Sequence, residues 1–482
     1  MATTDNLYPT RPVHLVLPSS GQPAAGLVIH PRFVTEQPQL GEPGKNPGDL
    51  VMEQSSAAHT LWVSLGLESK ATSETFRKTG GAIGKWLLAN PVDVAELIIE
   101  AAVNFTSRDA LQALLEGILL GAYAFDRYKQ NPDPKKTITL QVRGADALEL
   151  SGLLDRVEII ADSVLLAREW SHEPANVINP VSLADRAQEL AATYGLKCTV
   201  LDEYALEALS AGAILAVGKG SQTPPRLIVL EYPGQANHAG EKPVVLVGKA
   251  LTFDSGGYSL KDTTNIQGMK YDKCGGITVL AVMAAAARLK LDHPLVGVIG
   301  AAENMVSENA YRPDDIITTL SKKTVEIVST DAEGRLVLAD ALTYAQNNFQ
   351  PKEIIDLATL TGGVVVALGR VRAGIMSNHP VLTQALIESG EKTWERLWQL
   401  PLDDDYLQST KGDDADLKNS GGREGHAILG GVFLKQFVDD SIPWAHLDIA
   451  GLADVPKDLP YCPKGATGFG VRLLIDHLSR LD

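Results

Sequence analysis

Apolar positions recur at two different periods along this chain. In the first third, short apolar runs with polar neighbours predict strands at 13–17, 26–29 and 62–67, and residues 137–142 alternate in the manner of a half-buried strand. Helical spacing predicts helices over 73–88, 92–103 and 111–128. Glycine and proline recur from Pro18 to Pro47, which places loops between the first strands. A long helix is expected over 146–171. It must end before Glu173-Pro174-Ala175-Asn176, because a proline pushes the residue before it out of the helical region.

Beyond that break the pattern changes to apolar runs alternating with helices. Runs at 227–232, 244–248, 295–301, 325–328, 353–357 and 445–449 have the character of strands, the first two typical of strands buried on both faces, and 276–289 and 336–347 have the character of helices. Strand–helix alternation implies an α/β fold with a largely parallel central sheet flanked by helices. The expected organisation is a smaller N-terminal α/β domain, 1–170, followed by a larger C-terminal domain, 171–482. Ligands of such sheets gather beyond the carboxyl ends of the strands. Lys249, Asp254, Glu303, Asp331 and Thr359 all fall at or just after predicted strand ends.

Composition narrows the function classes. Apolar residues make up 45% and charged residues 21% of the 482, ordinary values for a globular protein. The net charge of −16 disfavours nucleic acid and anionic membrane as partners, since phosphate binding calls for a basic face. Three scattered cysteines, Cys198, Cys274 and Cys462, build neither a disulfide framework nor a thiolate zinc site. No apolar run is long enough to span a bilayer, and Met1 to Pro12 lacks the apolar core of a secretory leader, so a cytoplasmic location is expected.

Candidate chemistry concentrates in two segments. Val247-Gly248-Lys249-Ala250-Leu251-Thr252-Phe253-Asp254-Ser255-Gly256-Gly257 runs on to Lys261 and Lys270-Tyr271-Asp272; the second is Ser329-Thr330-Asp331-Ala332-Glu333-Gly334-Arg335. Four carboxylates gathered at strand ends repel one another unless cations sit among them, and hard oxygen ligands in that number suggest a two-metal hydrolytic site. Each residue alone has a plainer reading: Asp272 as a helix cap, Lys249 as a salt bridge at a strand end, Asp254 in a simple turn, and Lys261 and Lys270 as loop charges. Asp331, Glu333 and Arg335, two apart, would share one side of an extended segment. His172, His426 and His446 are read as packing or supporting residues, for no H-E-x-x-H occurs. The glycine-rich Asn419-Ser420-Gly421-Gly422-Arg423-Glu424-Gly425-His426 lacks the lysine ending of a phosphate loop.

Taken together, these segments resemble the leucyl (cytosol) aminopeptidase family of two-metal exopeptidases. The likeness extends to Met269–Asp272, Glu303-Asn304-Met305, Asp331 through Leu342, Ala358-Thr359-Leu360-Thr361-Gly362 and Ala445-His446-Leu447-Asp448-Ile449-Ala450-Gly451, over about 167–470, while the first 160 residues match the family poorly. Two departures are Ser329, where the family commonly has Asn, and Lys273-Cys274, where it commonly has Met and small residues. The resemblance implies Lys249, Asp254, Asp272, Asp331 and Glu333 as ligands of two divalent ions, Zn, Mn or Co, with Asp254 and Glu333 bridging. It implies Lys261 as the group that polarises the scissile carbonyl, and Arg335 as the holder of a bicarbonate that relays the proton. It assigns Met269, Thr359, Leu360 and Gly362 to the substrate, a peptide with a free N-terminus, and implies a homohexamer. The readings set against it are a non-enzymatic DNA-binding or scaffold role on the same fold, and a two-metal phosphoesterase, which does not use a metal-ligating lysine.

Overall fold

The computed structural model describes residues 7–18, 26–39, 41–54, 59–99, 108–130, 136–144, 147–238 and 240–481. The chain divides into two compact units, one of Tyr8–Leu165 with Val455–Gly465, the other of Met1–Leu7, Leu166–Asp454 and Ala466–Asp482.

The first unit is built on a six-stranded sheet of β1 (Val13–Val16), β2 (Leu27–Arg32), β3 (Leu50–Gln54), β4 (His59–Ser64), β5 (Val94–Ile98) and β6 (Ile138–Arg143), in the order β1-β6-β5-β2-β4-β3. Only the β3–β4 pairing is antiparallel. The helix Ser73–Ala89 begins at a capping box on Thr72, and a second helix covers Arg108–Gly121. The helix expected at 92–103 is instead the strand β5, and 100–107 lie outside the described residues. Its Val94-Ala95-Glu96-Leu97-Ile98 has apolar residues at both periods. Pairing with β2 and β6 on either side decided for the strand, with Ala95 and Leu97 turned inward.

The second unit holds β7 (Lys197–Leu201), β8 (Arg226–Tyr232), β9 (Val244–Asp254), β10 (Leu295–Asn304), β11 (Ile316–Thr318), β12 (Thr324–Glu326), β13 (Glu353–Ala358), β14 (Ala373–Ser377), β15 (Leu397–Gln399), β16 (Leu417–Lys418) and β17 (Trp444–Asp448). Eight of them form one sheet, β15-β14-β17-β13-β9-β10-β8-β7, and β11, β12 and β16 form a small one. The four central strands β17, β13, β9 and β10 are mutually parallel, whereas β7, β8 and the β14–β17 pairing are antiparallel. The fold is thus mixed α/β, with a mostly parallel sheet in the second unit. Helices Cys274–Leu289 and Gly334–Phe349 pack on it so closely that a methyl group on Gly248 would lie 2.5 Å from the Cα of Gly276. Among the described residues no helix is long and apolar enough to cross a membrane.

One irregularity positions the site. β9 and β10 pair regularly up to Leu251 and Ala302, then the register shifts so that Phe253 faces Glu303 and Asp254 faces Asn304. Thr252 is the extra residue of a β-bulge. Lys249 and Asp254 are five apart, which in a regular strand sends them to opposite faces. The bulge reverses the alternation and returns Asp254 to the side of Lys249.

Candidate metal centre

The carboxyl ends of the central parallel strands carry the candidate groups. Lys249 lies inside β9, not at its end as the pattern suggested, and Asp254 is the strand's last residue. Asp272 sits in the short turn Met269–Lys273 and caps nothing, since Lys273 occupies the cap position of the following helix. Asp331, Glu333 and Arg335 do not share an extended segment. The chain turns at Asp331, Glu333 takes helical angles at the N-cap, and Arg335 lies in the first turn of Gly334–Phe349. A helix starting there lets Glu333 and Arg335 point into the cluster from the helix end while Leu336, Val337, Leu338 and Ala339 are wholly buried beneath.

The groups meet as follows. Lys249 Nζ lies 3.0 Å from Asp272 Oδ1 and 2.9 Å from Glu333 Oε1, and donates to the Thr359 carbonyl at 2.8 Å. Thr359 Oγ1 donates to Asp272 Oδ1 at 2.6 Å. Lys261 Nζ lies 2.7 Å from Asp254 Oδ2 and is paired with Asp331 Oδ1. Asp254 Oδ1 accepts from Gly256 N and from Asn304 Nδ2, at 2.9 and 2.8 Å. Ligand oxygens of Asp254, Asp272 and Glu333 lie within 4.8 Å of one another, and all three residues are buried.

Glycines make room for this. A methyl group on Gly334 would lie 2.6 Å from Lys249 Cε and Nζ, so a side chain there would displace the lysine. Gly256, at φ +85°, turns the chain after Asp254, and a methyl on it would meet the Ser259 carbonyl at 2.5 Å.

Burial and crowding shift the titrations. Burial, with Glu333 and Asp272 beside it, raises the Asp254 carboxyl to about 7, and burial with Glu333 raises Asp331 to about 6. Burial also raises Asp272, against the pull of Lys249. Burial opposes the charge of Glu333, but Lys249 and Lys261 outweigh it and hold the group below its ordinary value. Burial likewise opposes the ammonium of Lys249, yet Asp272, Glu333 and Asp254 raise it. Lys249 is therefore held as an ammonium by these carboxylates. Arg335 is lowered to about 10 by burial.

The donor set fits divalent cations. Four carboxylates face the ammonium groups of Lys249 and Lys261, leaving negative charge in excess. Asp272 Oδ2 and Glu333 Oε2 are buried with no hydrogen-bond partner, which leaves lone pairs aimed into the cluster. Arg335 donates from Nη1 to the Asn419 carbonyl at 2.8 Å, and its buried Nε has no partner, a donor arrangement suited to an anion.

Of the substrate candidates, Met269 opens the turn that carries Asp272, and Thr359 touches both Asp272 and Lys249. Leu360 N donates to Asp448 Oδ1 at 3.2 Å, and Gly362 lines a cavity of about 680 Å³ with Gly363, Val366, Leu400, Arg423 and His426. Glu303, although at the strand end, turns away to Ser221 and Thr223.

Two supporting residues escaped the sequence reading. Asn304 bonds Asp254 and also donates to the Thr330 carbonyl at 2.9 Å, tying the first acidic segment to the second. Asn419 accepts from Val328 N and Ser329 N and donates to the Ser329 carbonyl, so the glycine-rich segment braces the loop before Asp331. Both lie inside quoted segments, Glu303-Asn304-Met305 and Asn419 through His426, but nothing in those segments singled them out. His172 and His446 are buried, His446 on Asp356 at 2.5 Å, consistent with supporting roles.

Comparisons with known proteins followed the same lines. Residues 165–475 match the model of the cytosol aminopeptidase family, catalytic domain, and residues 50–132 match that family's N-terminal domain. The second match corrects the expectation that the first 160 residues carry little of the family. A scaffold of strands and helices keeps its hydrophobic pattern without any short motif to reveal it. The chain is 46% identical to a probable cytosol aminopeptidase of Syntrophotalea carbinolica, over 88% of this chain and 86% of that protein. It is 40% identical to one from Brucella melitensis, over 96% of both. Among solved structures it is similar to the bottromycin maturation enzyme BotP in complex with Mn, with TM-score 0.87 and 33% identity over 95% of this chain and 100% of that one.

Proposed function

We propose, from the premise that this chain belongs to the cytosol aminopeptidase family and is a metal-dependent aminopeptidase, that it removes the N-terminal residue of peptides at the cluster described above. Lys249, Asp254, Asp272, Asp331 and Glu333 would hold two divalent cations, with Asp254 and Glu333 shared between them. Zn, Mn and Co all suit such ligands. When bound, the ions acidify water and polarise a carbonyl oxygen. The observation that carries this reading is the set of three buried carboxylates with ligand oxygens within 4.8 Å, two of them holding oxygens without a partner.

The chain's own residues then have distinct tasks. Lys249 is sealed in, with 3% of its side chain exposed, and would serve as a ligand by giving up its ammonium proton to solvent as cations take over the balancing of its carboxylate neighbours. Lys261 reaches the cluster from its more open edge, between Asp254 and Asp331, where its ammonium stabilises negative charge developing on the scissile carbonyl oxygen. Arg335, whose buried Nε has no hydrogen-bond partner, would hold a bicarbonate, an anion able to take up a proton. Met269, Thr359 and Gly362 would shape the site for the N-terminal side chain, with Leu360 contributing backbone contacts. Along the sequence the N-terminal α/β domain is taken as 1–170 and the catalytic domain as 171–482, apart from Val455–Gly465, which belongs to the first compact unit. The enzyme works on peptides with a free amino terminus, as a cytoplasmic homohexamer.

The two lysines test the assignment. Lys249→Ala is expected to lose bound metal, and Lys261→Ala to keep metal while kcat falls about 10²–10³-fold, the usual cost of one preorganised charge. Metal content by elemental analysis is measured beside kcat for each. The opposite pattern, metal lost from Lys261→Ala and kept by Lys249→Ala, overturns the roles.

A further inference from the structure

At the other end of the same strands lies a cluster that the peptidase reaction does not use. β9 and β10 begin side by side, Val244 opposite Leu295. Three residues before Val244 stands Glu241, and two before Leu295 stands His293. His238 ends the short turn Ala236–His238 just upstream. Glu241 Oε1 lies 2.9 Å from His238 Nδ1, and its Oε2 lies 2.8 Å from His293 Nδ1. The two imidazole centroids are 4.6 Å apart with planes at 67°, so the rings converge on one carboxylate from different directions.

The protonation of His293 is constrained. Its Nε2 lies 2.6 Å from the carbonyl oxygen of Leu481, which can only accept, so Nε2 carries the hydrogen. The neutral ring then presents a lone pair at Nδ1 to a carboxylate oxygen, which also only accepts. Two acceptors at 2.8 Å require something positive between them, a second proton on the ring or a cation. An imidazole that fixes its outer N–H on a backbone carbonyl while its other nitrogen faces an acidic ligand is the arrangement in which metal-binding histidines are found. The two loops are held together independently of these side chains. Gln235 N donates to the Asp292 carbonyl at 2.8 Å and Gln235 Nε2 to the Lys290 carbonyl at 3.1 Å. The ligand atoms are thus gathered by the backbone, within 4.8 Å of one another.

We propose that His238, Glu241 and His293 form a metal site separate from the carboxylate cluster, binding one Zn²⁺ or similar borderline ion such as Cu²⁺. Two imidazole nitrogens and one carboxylate suit these ions and leave a position for water. Bound there, the ion would clip His238 and Glu241 to the turn before β10, and through His293 to Leu481, at the sheet end remote from Asp254.

The test uses the full chain without a polyhistidine tag, carrying its resident ions, titrated with Cu²⁺ and examined by electron spin-echo envelope modulation. That method registers the remote nitrogen of a coordinated imidazole. The ligands proposed for catalysis are carboxylates and an amine, which give no such signal, so the result stands whether or not that reading holds. The expected result is imidazole modulation at about one equivalent of Cu²⁺, displaced by Zn²⁺, and abolished in the His238→Ala/His293→Ala variant with peptidase turnover retained. Glu241→Gln, which keeps both rings, is expected to weaken Cu²⁺ binding about tenfold or more. Absence of imidazole modulation in the unaltered chain, its persistence in the double variant, or an unchanged affinity in Glu241→Gln overturns the proposal.

Discussion

Asp254 and Asp331 give the candidate centre its dependence on pH. Both are raised, to about 7 and about 6, by burial first and then by neighbouring carboxylates. Glu333 is held low by the two lysines against its burial and stays ionised through the same range. A cation binds the carboxylate form, so protons compete with it wherever the folded carboxyl is protonated. Affinity must then rise with pH through the two raised values and fall below them. A cation displacing the Asp254 proton should bind about tenfold more weakly per pH unit below about 7, and more steeply below about 6, where Asp331 is protonated as well. Titration of the metal-stripped chain with Mn²⁺ from about pH 5.5 to 8 checks this, and a flat affinity contradicts the crowding described here.

At the scale of elements, much of the second unit was legible. The central strands and the helices over Cys274–Leu289 and Gly334–Phe349 stand close to where hydrophobic period put them, because they are buried on nearly every side. Less legible was anything decided by pairing. The helix expected at 92–103 became β5 between two parallel strands. The extended reading of Asp331, Glu333 and Arg335 failed because a helix begins at Gly334, and spacing two apart does not reveal a turn. The bulge at Thr252 left no trace in the pattern of apolar residues, yet it puts Lys249 and Asp254 on one side. It also sets Asn304 opposite Asp254, where the side chain joins the carboxylate to the Thr330 carbonyl. Asn304→Leu is therefore expected to keep the fold while lowering metal affinity or kcat/KM by about 10–100-fold, the usual cost of removing a group that orients a ligand. Metal-binding isotherms and steady-state kinetics would show this, and wild-type values for both would mean that the asparagine positions nothing.

For the whole molecule, family membership shows a peptide hydrolase, and the net charge of −16 disfavours nucleic acid as a partner. An aminopeptidase must recognise a chain end, and a free amine, with its lone pair, is what an acidic, cation-binding cluster distinguishes from the middle of a chain. Peptides acetylated at the N-terminus are expected to resist cleavage under conditions where the free peptides are hydrolysed, as followed by mass spectrometry of the products. Efficient cleavage of a blocked peptide would mean an endopeptidase. The central claim is that one cluster both holds the metal and performs the hydrolysis, and Glu333 stands in its middle, against Lys249 and near Asp254 and Asp272. The most direct test is the metal content and peptidase turnover of Glu333→Ala measured on one purified, folded sample. The account predicts that bound metal falls and that turnover drops by at least about a hundredfold. Metal content and turnover equal to those of the unaltered enzyme would contradict it.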